Sequence, residues 1–447
     1  MSILGFIART VRKMFPRQTI TRFYDVQPAM SAAFAAEVVK WQDMYMGGAP
    51  WVDGEDVVSL RLEQGTVREF ADIVLNEMTA QVSNKELDRL FRRAVRDINR
   101  ELQRGLATGA MVIKPLGTGS DTVQYIPQTG FIPLRYDADH RLTDVIFPEV
   151  VKLGDSDYRI RMERHTLDER GLTISNRAFS SSAADMLERE IPLGSLSKWE
   201  GLLPEVFYPG MTRQAFGYFV TPVDNTFDLS EPGMSVFAAA EHIYRRADIQ
   251  FGRLDWEYDS AERAIHADEQ ALKITEQNGH ELPKKRLYRG LNLMGRDGEL
   301  FKEYSPQLRD DSYRSGLNAY KREIEFVVGL SYGDLSDPSN VDKTATEVIA
   351  AKQRKYNRVT AIQDNLRDCL EDLVYALAFY RGMATSGYEF SCTFKDSIKS
   401  DEEAERENDR KDVSMGIMRP EEYRAKWYGE SIDTALHNLP ETAQVLD

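Results

Sequence analysis

The chain has 447 residues, 42% of them hydrophobic and 29% charged, which is length enough for several domains and the makeup of a folded protein, so long disorder is excluded as a default. Two cysteines, Cys369 and Cys392, are too few for a disulfide framework and wrongly spaced for a zinc site. No apolar run of about 18 residues is present to span a bilayer, so the expectation is a soluble chain assembled in a reducing compartment, away from membranes. A formal net charge of −15 argues against a tight, sequence-independent nucleic-acid binder, which needs a surplus of Lys and Arg to displace phosphate counterions.

The first 17 residues place Ile3, Ile7, Val11 and Met14 at helical spacing among Arg9, Arg12, Lys13 and Arg17, without an acid. The charges follow the apolar stretch and no small-residue cleavage site is evident, so a docking or surface helix is expected rather than a targeting peptide. Residues 31–46 carry Ala33, Val38, Trp41 and Tyr45 at helical intervals and stop at Gly47-Gly48. Another helix is read over 66–82. Ser83 and Glu86 form a capping box, and Leu87, Leu90, Phe91, Ala94, Ile98 and Leu102 trace one apolar face as far as Gly105 and Gly109. From Met111 to about Phe179 the pattern alternates in short runs, 111–114, 131–136, 144–151 and 158–164, separated by Gly117-Thr118-Gly119, Asp137-Ala138-Asp139 and Asp168-Glu169-Arg170-Gly171. These read as strands and hairpin turns. The first half is therefore α+β.

Phe237, Ala240, Tyr244, Ala247, Phe251, Leu254, Tyr258, Ala261 and Ile265 step by three and four, predicting a long helix of roughly 45 Å at 1.5 Å per residue. Turn formers at Asn278-Gly279 and Gly295–Gly298 surround strand-like runs at 287–294 and 299–304. Tyr313, Leu317, Tyr320, Ile324 and Val327 then restore the helical seam up to Gly329. Residues 331–342 are all turn chemistry. Thr344 and Glu347 form a second capping box before a helix of about 38 residues through Leu366, Leu373 and Tyr380, whose acid-free stretch from Lys352 to Arg358 reads as a solvated basic face. Beyond 385 the chain turns polar, with seven acids against three bases between Asp401 and Asp412, and a peripheral helical end piece is expected.

No catalytic motif emerges. There is no P-loop, and Gly117-Thr118-Gly119 lacks the third glycine and the strand-to-helix setting of a dinucleotide site. His140, His165, His242, His266, His280 and His437 are scattered without HExxH or paired-Cys companions, and no GxSxG elbow occurs. The expectation is that the chain is not an enzyme and uses no metal or cofactor.

Several stretches follow one another along the chain: Trp41-Gln42-Asp43-Met44-Tyr45 with Gly47-Gly48 and Trp51, Gly105-Leu106-Ala107-Thr108-Gly109 before the strand at 111–114, Phe216-Gly217-Tyr218-Phe219, Pro232-Gly233-Met234-Ser235-Val236-Phe237, Gly329-Leu330-Ser331, and Lys343-Thr344-Ala345-Thr346-Glu347-Val348. In this linear order they resemble the portal proteins of tailed bacteriophages, in particular the group similar to those of Gram-positive siphophages. Together they span about 30–385.

The resemblance implies the portal fold: an α/β wing, long stem helices, a small β-containing clip and a helical crown. Mapped on this chain, 1–30 is an N-terminal segment, 31–233 the wing and 234–266 the first stem helix. The clip is then 267–306, the second stem helix 307–330, the tunnel loop 331–343, a long helix 344–384, and the crown and tail 385–447. It implies a homo-oligomeric ring of about twelve subunits at one capsid vertex of the virion, assembled in the host bacterial cytoplasm. Double-stranded DNA would pass through during packaging and ejection, with the terminase large subunit, a head-tail connector, and the major capsid and scaffolding proteins as partners. An acidic wall suits such transport, because duplex DNA slides along it without adhering. On the same reading Ser331, Gly333, Asp334, Asp337, Asn340, Asp342 and Lys343 would line the DNA channel. Lys284, Lys285, Arg286 and Arg289 would meet an acidic partner surface at the clip, while Phe237, Tyr244, Phe251, Leu254, Tyr258, Tyr320 and Ile324 would pack subunits in the stem. Two other classes stay open: another ring or adaptor protein of the virion, and an enzyme whose carboxylates come from dispersed positions.

Overall fold

The structure, a computed structural model, describes residues 14–76, 78–117, 122–261, 264–268, 288–291, 301–338, 345–394 and 402–439. A short helix α1, Arg17–Tyr24, buries Ile20. Helix α2, Ala32–Tyr45, starts where the Ser31 hydroxyl accepts the Phe34 amide and buries Phe34, Val38, Trp41 and Met44 on one stripe. Helix α3 covers Leu62–Asn76 only. Residues Met78–Val82, expected as its continuation, form strand β1 instead, because they alternate and find an antiparallel partner at Phe390–Phe394, with Met78 opposite Phe394.

The capping box expected at Ser83 does not form, and the N-cap is Asn84, one residue on. Asn84 Oδ1 accepts from the Glu86 and Leu87 amides, while Ser83 extends the β1 ladder by exchanging hydrogen bonds with Glu389. The single apolar face read from 87 to 102 is split at Val95–Asp97 into α4, Lys85–Ala94, and α5, Ile98–Thr108.

Strands β2 (Ala110–Pro115) and β3 (Val123–Pro127) begin the sheet region, followed by β4 (Ile132–Tyr136), β5 (Leu142–Gly154), β6 (Asp157–Asp168), β7 (Gly171–Ser181), β8 (Arg189–Ile191), β9 (Glu205–Pro209) and β10 (Gly217–Val220). Two of the expected turns lie where the chain reverses: Asp137 Oδ1 accepts from the amides of Asp139 and Arg141, and Asp168 and Gly171 face each other across the β6–β7 turn, while Thr118 and Gly119 of the third lie outside the described residues. The result is a six-stranded antiparallel sheet, β4-β5-β6-β7-β8 with β9 on β7, and a three-stranded sheet, β10-β2-β3. The mixed helix-and-sheet class is α+β, as read from the sequence.

Two glycines let the end of α5 meet the segment before the next long helix. Gly109 caps α5 at φ +99, and a Cβ there would lie 2.1 Å from Gly233 O; a Cβ on Gly233 would lie 2.1 Å from Gly109 O. Gly109→Ala is therefore expected to lower unfolding stability by about 2–4 kcal/mol, through a left-handed backbone and a clash that neither segment can relieve alone. An unchanged urea midpoint would contradict this.

Helix α6 runs Glu241–Ser260, 20 residues and so about 30 Å. It is shorter than the seam suggested, since Ala238–Ala240 form a 3₁₀ turn and Ala264–Asp268 form strand β11. With β12 (Tyr288–Leu291) and β13 (Phe301–Tyr304), β11 makes a small sheet, parallel to β12 and antiparallel to β13. Helix α7, Asp310–Val328, returns alongside α6. Helix α8, Ala345–Tyr380, is 36 residues long, about 54 Å. It buries Val359, Ile362, Leu366, Leu370, Leu373 and Leu377 in the main core with α2–α5. Strand β14, Phe390–Phe394, is the partner of β1, so the polar end expected from 385 begins inside the body. Helices α9 (Glu402–Ser414), α10 (Pro420–Tyr428) and α11 (Ile432–His437) follow.

Candidate functional site: the helix pair and the loop that follows it

Helices α6 and α7 are hydrogen-bonded to each other within one chain, toward the ends next to the small lobe. Gln250 Nε2 donates to Tyr313 O at 3.3 Å, Arg314 Nη2 to the Tyr258 hydroxyl at 2.7 Å, and Arg309 grips the Glu257 carboxylate through Nε at 3.1 Å and Nη2 at 2.6 Å. This changes the expected stem contacts. Phe237, Tyr244, Leu254 and Ile324 are buried inside the chain's own fold, and the Tyr244 hydroxyl is 2.7 Å from Thr66 Oγ1, so these four are not presented to a neighbour. Phe251, Tyr258 and Tyr320 are half-buried. The apolar side chains that do face outward are Trp256, 63% exposed, and Phe326, 51% exposed. Trp256 sits two positions off the Leu254 seam, a large aromatic at a polar-face position, which is the signal a periodicity search passes over.

At the end of α7 the helix stop and the loop share one anchor. Gly329 adopts φ +90, and its amide and that of Leu330 both donate to the Glu325 carbonyl, closing the last turn. The Glu325 side chain, fully buried, then turns to the loop: Oε1 accepts from the amides of Gly333, Leu335 and Ser336 at 3.1, 2.6 and 2.7 Å, and Oε2 from the Ser336 hydroxyl at 2.8 Å. A concave row of backbone N–H groups with Gly333 at φ +97 is the arrangement that holds an anion, and here the anion is the chain's own carboxylate. An acid in the last turn of a helix faces the negative end of the helix dipole and is unfavourable unless donors compensate it. That placement, ahead of a turn-rich segment, was the available sequence signal for Glu325.

The loop residues expected to meet DNA fall into three groups. Asp334 is engaged within the chain: it accepts the Ser331 amide at 2.8 Å and pairs with Lys355 Nζ at 2.9 Å, which also reaches Glu69 at 3.2 Å. Ser331 is the donor to Asp334, Gly333 belongs to the Glu325 clamp, and the Asp337 amide is held by Asn318 Oδ1 at 2.8 Å while its residue is exposed. Asn340, Asp342 and Lys343 lie outside the described residues, as does Thr344 of the expected capping box.

The basic stretch of α8 is not the solvated face it resembles in sequence. Lys355 is tied as above, Arg358 donates to Pro222 O at 2.9 Å, and Arg354 stacks over the Phe326 ring at 4.8 Å. In the small lobe, Arg289 lies on β12 opposite His266, and Lys284, Lys285 and Arg286 lie outside the described residues.

Two buried titratable groups were not foreseen. Glu163 on β6 meets Lys114 Nζ at 2.6 Å, His165 Nε2 at 2.7 Å and Arg161 Nη1 at 2.9 Å. Burial opposes its charge, but Lys114, His165 and Arg161 outweigh that and hold its carboxyl well below the usual range. Burial pushes His165, fully enclosed, below its ordinary value against the pull of Glu163. Because Lys114 comes from β2, this cluster ties the three-stranded sheet to the six-stranded one. The second group is Glu63, 1% exposed, with no hydrogen-bond partner among the described residues on either carboxylate oxygen; burial pushes it up to about 8, with Asp248 adding repulsion. Asp248 has partners, accepting from Trp51 Nε1 and the Leu60 amide, each at 2.8 Å.

Among the described residues no three His, Cys, Asp or Glu side chains gather as metal ligands, and no helix is long and apolar enough to cross a membrane. No family model matches the chain, and no curated protein matches it.

Proposed function

We propose that this chain is the subunit of a portal: a ring of about twelve copies at one capsid vertex of a tailed bacteriophage, through which double-stranded DNA is packaged and later ejected. The observation that carries the reading is the order helix, small sheet-bearing lobe, antiparallel returning helix, clamped loop, on a broad α+β body. In that reading α6 and α7 are the stem, the β11–β13 lobe is the clip that meets the terminase motor and the head-tail connector, and the segment after Ser336 reaches the channel. The chemistry is steric and electrostatic. A subunit of charge −15 repeated around a passage repels phosphate and keeps DNA from sticking. The Glu325 clamp gives the loop a fixed base against which the rest can work.

Deleting 337–343 spares the groups bound to Glu325. The expected result is a ring of unchanged size that fails to fill capsids with DNA or to keep it there. Loss of the ring itself would overturn the assignment of this loop to the channel.

A further inference from the structure

Phe15, Pro28, Ala35, Ala36, Val39 and Ile132 enclose a groove of about 310 Å3 beside α2, in which Arg17 and Ser31 supply the polar contacts. Met14, the first described residue, stands on its wall. Residues 1–13, immediately ahead of Met14, read MSILGFIARTVRK, with three bases and no acid. Ile3, Ile7, Val11 and Met14 follow one another in steps of four, four and three, so on a helix they form one stripe, and the last member of that stripe already lines the groove. The tether is short. Seven residues separate Ile7 from Met14, about 10 Å as a helix and about 23 Å extended, so these side chains stay within reach of the groove in either form.

We propose that residues 1–13 seat in the groove of their own chain, with Ile7 and Val11 entering between α2 and the β4 edge and Arg9, Arg12 and Lys13 facing water. The groove's small residues on the outer side of α2, Ala32 and Ala36, leave the room a docked helix or strand needs. The inference does not depend on the portal reading, because it concerns one chain.

The test uses the full chain, a variant lacking residues 1–13, and a synthetic peptide of that sequence carrying a fluorophore. The truncated protein is expected to bind the peptide saturably. The full chain, its groove filled, should bind at least tenfold more weakly, as should the truncated protein carrying Ala36→Trp. Should the truncated protein fail to fold, Ile7→Ser in the full chain gives the second readout: hydrogen exchange at Ala35, Ala36 and Val39 should quicken severalfold. Binding that Ala36→Trp does not weaken, or exchange unaltered by Ile7→Ser, would overturn the proposal. So would a peptide that ignores the protein and partitions onto anionic phospholipid vesicles, which would make the segment a membrane-surface helix. Self-association of the full chain that vanishes on truncation would overturn it as well, by assigning the segment to a second copy's groove.

Discussion

Glu325→Ala is expected to lower unfolding stability by about 2–4 kcal/mol and to speed hydrogen exchange at Gly333, Leu335 and Ser336 at least tenfold. The carboxylate accepts four hydrogen bonds from the loop, and two of the donors belong to Ser336, which is only 5% exposed. Removing the acceptor leaves those N–H groups to find water in a place that admits little of it. Glu325→Gln keeps the shape and one carbonyl acceptor, so about half the loss is expected, since its NH2 group would face donors. On the portal reading Glu325→Ala still assembles but packages DNA poorly, because Asp334 and Lys355 lose the frame that holds them. Exchange at the three amides indistinguishable from the native chain would show that the clamp does not fix the loop.

Glu63→Gln is expected to stabilise the chain at alkaline pH and to leave it nearly unchanged at pH 5. With its carboxyl near 8 in the fold against an ordinary 4.5, Glu63 binds its proton more tightly when folded. The stabilisation from that proton is complete below about 4.5 and is lost as pH rises through about 8, so native stability falls across this window by up to about 5 kcal/mol. Ionisation would leave a carboxylate with no hydrogen-bond partner among the described residues, near Asp248, whose own value burial also raises and which therefore adds to the same trend at lower pH. The glutamine has no proton to lose at this site. Urea midpoints at pH 5, 7 and 9 check it: the native and variant profiles should diverge as pH rises, and parallel profiles would place the pH dependence elsewhere.

What the sequence revealed follows how local the physics is. The apolar spacing over 31–46 and the stop at Gly47 are local signals, and the helix lies where they put it. The hairpin turns at Asp137 and Asp168 are local too, because each aspartate bonds backbone two residues on. The pairing of β1 with β14 is the opposite case. Met78 meets Phe394 across most of the chain, and a five-residue alternating run following a helix reads as more helix until its partner is known. The same nonlocality displaced the cap from Ser83 to Asn84, since Ser83 is taken up by Glu389.

The candidate site shows the limit most clearly. Turn chemistry over 331–342 marked a loop, but the residue that organises its described part is Glu325, inside the preceding helix. Asp334, which looks free in sequence, is held by Lys355 from α8. Likewise Phe237, Tyr244, Leu254 and Ile324 form a seam with the right spacing, and spacing alone cannot say whether a seam closes on its own chain or on a neighbour.

The central claim, that copies of this chain close into a ring around a DNA passage, is tested most directly by the native mass of the purified protein measured over a wide concentration range, with images of the same sample. Twelve copies of 51.1 kDa predict a species of about 613 kDa whose end views are rings with a central hole. A particle that stays at one or two copies throughout, with no hole, would contradict it.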